Sequence, residues 1–131
     1  MAESSCGCGS DDVRLLFSCS GAADVGALAD QAARKLTKEG AGGMACLAGI
    51  GGGVSGMIES AKAASKVLVI DGCPVDCGKK SMEKAGVSNF DYIRVTDLGL
   101  IKGKSPVNDK NIETVAQKGR EVLTKKSSCC G

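Results

Sequence analysis

Val67-Leu68-Val69-Ile70 runs directly into Asp71-Gly72-Cys73-Pro74, and these eight residues decide the architecture. Four successive apolar side chains, three of them β-branched, read as a strand covered on both faces, because a strand with one wet face would alternate. Such a strand belongs inside a parallel sheet. The Asp-Gly pair breaks it, and Pro74 suits the first position of a helix extending to Ala85, with Gly86 past its end.

Upstream the same alternation of strand and helix recurs. Val13 to Phe17 is a compact apolar strand, followed by the turn Ser18-Cys19-Ser20-Gly21. Ala22, Val25, Leu28, Ala29, Ala32, Ala33 and Leu36 then fall on one helical stripe, with Asp24 in the first turn and Arg34, Lys35 and Lys38 in the last, as the helix dipole prefers. Gly40 ends that helix. A second strand is expected over Met44 to Ala48, a glycine turn over Gly49 to Gly53, and a helix carrying Val54, Met57, Ile58 and Ala61. Downstream, Phe90 to Val95 reads as a fourth strand. Asn108 or Asp109 can cap a last helix with Ile112, Val115, Ala116, Gly119, Val122 and Leu123 inside. The expectation is one α/β domain: an open, mostly parallel four-stranded sheet with helices on both faces, doubly wound and Rossmann-like. It should span residues 12–126, between cysteine-containing tails at 1–11 and 127–131.

Composition removes whole classes of function. At 131 residues there is room for one core. No apolar run approaches the ~18 residues of a membrane span, and the polar, acidic opening is unlike a secretory signal. No membrane partner is expected, and the expected location is the cytoplasm. Seventeen basic against fifteen acidic residues give a net charge of +2, and the chain has only two Phe and one Tyr. A protein holding nucleic acid needs a one-sided basic field or stacking platforms, so no nucleic-acid partner is expected. Histidine is absent. That excludes an imidazole base, a conventional serine triad and a His-ligated catalytic zinc.

Cysteine is the other extreme, with eight in the chain. In a reducing compartment such a count points to metal binding or thiol chemistry before structural disulfides. Ligands in open parallel sheets bind at the carboxyl edge, in the turns that follow the strands. Cys19 follows the first strand, Cys46 lies in or just beyond the second, and Cys73 and Cys77 flank the start of the helix after the third. If the first and third strands are neighbours, four thiols can meet. Four sulfurs without histidine suit tetrahedral zinc, and less closely an iron–sulfur cluster, with Lys79 and Lys80 near enough in sequence to offset thiolate charge. Cys46 also suits a small packing residue, which would leave three thiolates and an open position.

The stretches Cys19-Ser20-Gly21-Ala22, Cys46-Leu47-Ala48-Gly49-Ile50-Gly51-Gly52 and Asp71-Gly72-Cys73-Pro74-Val75-Asp76-Cys77 together resemble the DGC-domain family, over Val13 to Leu100. The resemblance implies that Cys19, Cys46, Cys73 and Cys77 match the four cysteines presumed to chelate metal in that family. The resemblance does not extend to Cys6, Cys8, Cys129 and Cys130. Both tails should emerge at the pole opposite the first site, where these four could form a second cluster or remain exposed thiols on loose tails.

Two glycine motifs invite a phosphate reading. Gly51-Gly52-Gly53-Val54-Ser55-Gly56 fits G-x-G-x-x-G, with Asp71 about twenty residues on. In a chain with 19 glycines a chance match is easy. Cys77-Gly78-Lys79-Lys80-Ser81 lacks the glycine and the hydroxyl that a phosphate loop requires, since Cys73 and Lys80 stand at those positions. Asp71 and Asp76 are the acids nearest the thiols, expected to serve the turn and the helix dipole. Tyr92 is expected to be half-buried packing.

The resulting expectation is a protein holding one zinc ion through Cys19, Cys46, Cys73 and Cys77, in a structural, sensing or metal-handling role. A shell closed by four thiolates has no place for an activated water, so hydrolytic catalysis is not expected. The alternative is a thiol redox or sulfur-transfer protein with Cys73 as nucleophile at a helix N-terminus and Cys77 or Cys19 resolving it.

Overall fold

A computed structural model describes residues 12–125. Segments 1–11 and 126–131 lie outside the described residues, and with them the tail boundaries and the grouping of Cys6, Cys8, Cys129 and Cys130.

The strands are β1 (Arg14–Ser18), β2 (Gly43–Met44), β3 (Lys66–Asp71) and β4 (Asp91–Arg94). They form one sheet in the order β2-β1-β3-β4, and every neighbouring pair is parallel. The two strands carrying the first and third cysteine turns are therefore adjacent, pairing from Arg14 with Lys66 through Ser18 with Ile70. Alternate side chains of β3 feed two separate cores. Leu68 and Ile70 join Leu16, the α1 stripe (α1, Asp24–Lys38) and Val115 and Leu123 of α5 (Asp109–Thr124). Val67 and Val69 join Phe17 with Ile50 of α2 (Leu47–Gly51), Ala61 of α3 (Ser55–Ala63) and Met82 of α4 (Cys77–Lys84). Helices cover both faces, and the fold is the doubly wound α/β domain expected. No helix among the described residues is long and apolar enough to cross a membrane.

The sequence pattern misplaces several boundaries. The expected strand over Met44 to Ala48 is only Gly43–Met44, because Leu47 and Ala48 begin α2, which also takes Gly49 to Gly51 out of the expected glycine turn, and the strand expected over Phe90 to Val95 shortens to Asp91–Arg94. Cys46 thus stands just before a helix, in extended conformation, with its carbonyl accepting the Gly49 amide at 3.1 Å. Likewise the helix expected from Pro74 starts at Cys77. Pro74 occupies the second position of a turn closed by the Asp76 N–H donating to the Cys73 carbonyl at 3.1 Å, and Asp76 is left-handed (φ +60°), which keeps Cys73 to Asp76 out of the helix. Proline prefers both places equally well; the left-handed aspartate decides between them.

Candidate functional site

The Asp71-Gly72-Cys73 turn is fixed by its first two residues. Asp71 is 1% exposed, and its carboxylate accepts the Gly78 amide at 2.8 Å, the Lys79 amide at 3.0 Å and the Tyr92 hydroxyl at 3.0 Å. It thereby satisfies the open amides at the start of α4 and anchors that helix to β3. Gly72 lies against the first turn of α1: a Cβ there would sit 2.8 Å from the Gly26 nitrogen. No side chain fits at position 72 without separating β3 from α1.

Asp76 is held by a second set of contacts. Arg94 donates from Nε (2.9 Å) to Oδ1 and from Nη2 (2.8 Å) to Oδ2, and the Tyr92 hydroxyl donates at 2.6 Å to Oδ1. This fork holds the Asp76 carboxyl below its ordinary range, chiefly through Arg94 and then Tyr92, while burial first and Asp76 second push the Tyr92 phenol upward. Tyr92 stays protonated, and its single O–H proton, directed mainly to Asp76 at 2.6 Å, is shared with Asp71 at 3.0 Å. The ammonium of Lys79 and the guanidinium of Arg94 lie 5.5 Å and 5.7 Å from its ring centre. Tyr92 is half-buried packing, as expected, and also a hydrogen-bond bridge. Neither aspartate is left as an idle acid or base.

Cys19, Cys46 and Cys73 are free thiols on connections that follow strands, and Cys77 is a free thiol at the first position of α4. Cys19, half-buried after β1, accepts the Gly72 amide on its Sγ at 3.3 Å, which ties the first turn to the Asp-Gly-Cys turn. Burial raises its thiol above the ordinary range; the Gly21 and Gly72 amides oppose this, and the charges of Asp71 and a Cys77 thiolate add to it. Cys46 is exposed and shares a cleft with Cys19. Cys73 is half-buried, with the Lys102 ammonium 3.8 Å from its sulfur. Cys77 is exposed, as the first residue of α4. The helix-dipole argument made for Cys73 therefore passes to Cys77, since Cys73 lies in the turn before the helix. Among the described residues no three Cys, Asp or Glu side chains converge into an ion-holding group. Thiol sulfur without imidazole is donor chemistry of the kind that suits a thiophilic ion, but the four sulfurs are not gathered around one point.

The G-x-G-x-x-G stretch joins two helices. Gly51 ends α2, Gly53 is left-handed (φ +76°) and Ser55 starts α3, whereas the dinucleotide motif opens the helix directly after a strand. Asp71, its supposed ribose partner, is already committed to α4.

The sequence does not mark out Arg94 or Lys102, whose partners Asp76 and Cys73 lie on other elements far along the chain. In the chain Ser18–Ser20–Asp30–Arg34 the Asp30–Arg34 pair has the i, i+4 spacing of one helix face and was legible locally; only its link to Ser20 needed the fold.

Residues 15–119 match the DGC domain. The chain belongs to the DGC-domain family. A DGC relative, the anaerobic and virulence modulator AnvM of Pseudomonas aeruginosa, is 32% identical over 92 residues, covering 70% of each chain. No solved structure matches this DGC chain at a significant level.

Proposed function

We propose that this DGC protein binds one thiophilic metal ion, zinc, through Cys19, Cys46, Cys73 and Cys77, in a sensing or metal-handling role. The observation that carries the reading is the Gly72 N–H contact to Cys19 Sγ, which ties two cysteine-bearing turns together on adjacent central strands. The exposed Cys46 and Cys77 are the two free to move toward an ion. Lys102 supplies a counter-charge near Cys73. When bound, zinc would act as a closed thiolate centre, which disfavours hydrolysis. The relative's name, a modulator, favours a regulatory over a catalytic role.

The test is metal content by mass spectrometry with an absorption spectrum, on protein purified without oxygen, beside a Cys73→Ser, Cys77→Ser double variant. The expected result is about one colourless zinc per chain, lost in the variant. Iron with visible charge-transfer bands would replace zinc by a cluster, and a metal-free chain would overturn the reading.

A second reading has its own observation. The Lys102 ammonium beside Cys73 also suits a thiolate nucleophile, with Cys77 or Cys19 resolving, in a redox or sulfur-transfer protein. Thiol counting separates the two: thiols released by a chelator indicate metal, and one fast-reacting thiol without chelator indicates thiol chemistry.

A further inference from the structure

A cleft of about 650 Å³ opens where the turn after β1 faces α2, with Cys19, Cys46, Ser20, Arg34 and Ser81 on its walls. The cleft is open to solvent on one side, and its volume is enough to seat a small molecule against one wall. Its polar side is built as a chain. The buried Ser18 hydroxyl lies 2.7 Å from that of Ser20, Ser20 donates to Asp30 Oδ1 at 2.7 Å, and Arg34 Nε donates to Asp30 Oδ2 at 2.7 Å. Ser20 takes a positive φ of 51° to make this contact. The chain orients Arg34 through Nε alone, and its two terminal nitrogens have no protein partner among the described residues. Those nitrogens are the edge that grips a carboxylate with two parallel hydrogen bonds. Asp30 cancels the formal charge of Arg34, so recognition rests on the fork geometry of the two remaining nitrogens and not on a net field.

The other side of the cleft carries the two thiols, and they differ in access. Cys19 is half-buried with its sulfur engaged by the Gly72 amide, whereas Cys46 is exposed. We propose that, in the metal-free state in which Cys46 is not held as a ligand, this cleft is a modification site, in which a small disulfide bearing a carboxylate is seated by Arg34 and thiolates Cys46. The Cys46 thiolate attacks one sulfur of the disulfide, forming a new S–S bond to Cys46 as the disulfide's own S–S bond breaks. The departing half leaves as a thiolate and takes up the proton that Cys46 released, so the small disulfide is the oxidant and nothing else is consumed.

The test uses the full chain after chelator treatment, with two reagents of similar length: dithiodiglycolate, which carries carboxylates, and hydroxyethyl disulfide, which is neutral. Peptide mapping by mass spectrometry gives the initial rate at each cysteine, and the anionic-to-neutral rate ratio removes differences in thiol reactivity. The expected result is that Arg34→Gln lowers the ratio at Cys46 about fivefold, leaves the ratio at Cys77 unaltered, and that Arg34→Lys restores part of the loss. An unchanged ratio at Cys46 in Arg34→Gln overturns the proposal. So does an equal drop at Cys46 and Cys77, which also covers the case of a variant that has lost its fold.

Discussion

At Asp71 one buried carboxylate closes three donors, two of them amides of the first turn of α4. The same arrangement dictates Gly78, where a Cβ would lie 2.7 Å from Asp71 Oδ1 and 2.8 Å from Val69 Cγ1. Alanine in a helix ordinarily stabilises relative to glycine, by up to ~1 kcal/mol. At Gly78 steric overlap reverses the sign: Gly78→Ala is expected to destabilise by ~1–3 kcal/mol, read as a lower melting temperature, while Gly56→Ala in α3, with open space at its Cβ, leaves stability equal or slightly higher. Removing the carboxylate charge in Asp71→Asn should also destabilise by ~1–3 kcal/mol, since an amide can accept on one oxygen only. A wild-type melting temperature in Asp71→Asn would remove this turn from the account of how Cys77 is held.

The helices are joined by charge as well as by apolar packing, most visibly between α1 and α5. Arg120 donates to both oxygens of Glu39, at 2.8 Å and 2.7 Å, and to both of Glu113, at 2.6 Å and 3.0 Å, and Lys35 pairs with Glu113 at 2.9 Å. Arg120 first and Lys35 second lower the Glu113 carboxyl from 4.5 to about 2. A carboxyl whose folded value is depressed contributes stability that is fully present above its unfolded value and lost as pH falls through the folded one. The difference in melting temperature between wild type and Glu113→Gln should therefore be constant above pH 4.5 and vanish toward pH 2. A difference that persists at pH 2 would assign the effect to something other than this pairing. At the same scale, Asn108 caps α5 through Oδ1, which accepts the Asn111 amide at 2.9 Å, and Asn108→Ala is expected to cost ~1 kcal/mol in thermal unfolding.

Across the whole molecule the sheet order sets a gradient of protection. β3 is paired on both edges and covered on both faces, whereas β2 is a two-residue edge strand. Amide hydrogen exchange should be slowest at Val67 to Ile70 and fast at Gly43 and Met44, because central strands open only with global unfolding. Fast exchange at Leu68 would contradict the central placement of β3. The same order puts the stable strands under Cys19 and Cys73, and the least stable one ahead of Cys46. The thiol proposed to react with small disulfides is thus the one on the most yielding support.

The sequence by itself determined the α/β class, the sheet's parallel character and the family, because an apolar run such as Val67 to Ile70, amphipathic periodicity and the spacing of Asp71, Gly72 and Cys73 are local signals. It also determined that Cys19, Cys46 and Cys73 fall on strand-to-helix connections, with Cys77 close to the start of the helix that follows. Only the tertiary structure decided that Pro74 serves a turn and Cys77 begins the helix, since that depends on Asp76 being drawn into a left-handed conformation by Arg94 and Tyr92 from another strand. It alone decided the use of Asp71 as a helix anchor, the approach of Lys102 to Cys73 and the orientation of Arg34 by Ser20 and Asp30. Apart from the local Asp30–Arg34 pair, each of these joins groups on different elements, and no local preference encodes which remote partner a polar group will meet once the chain is compact.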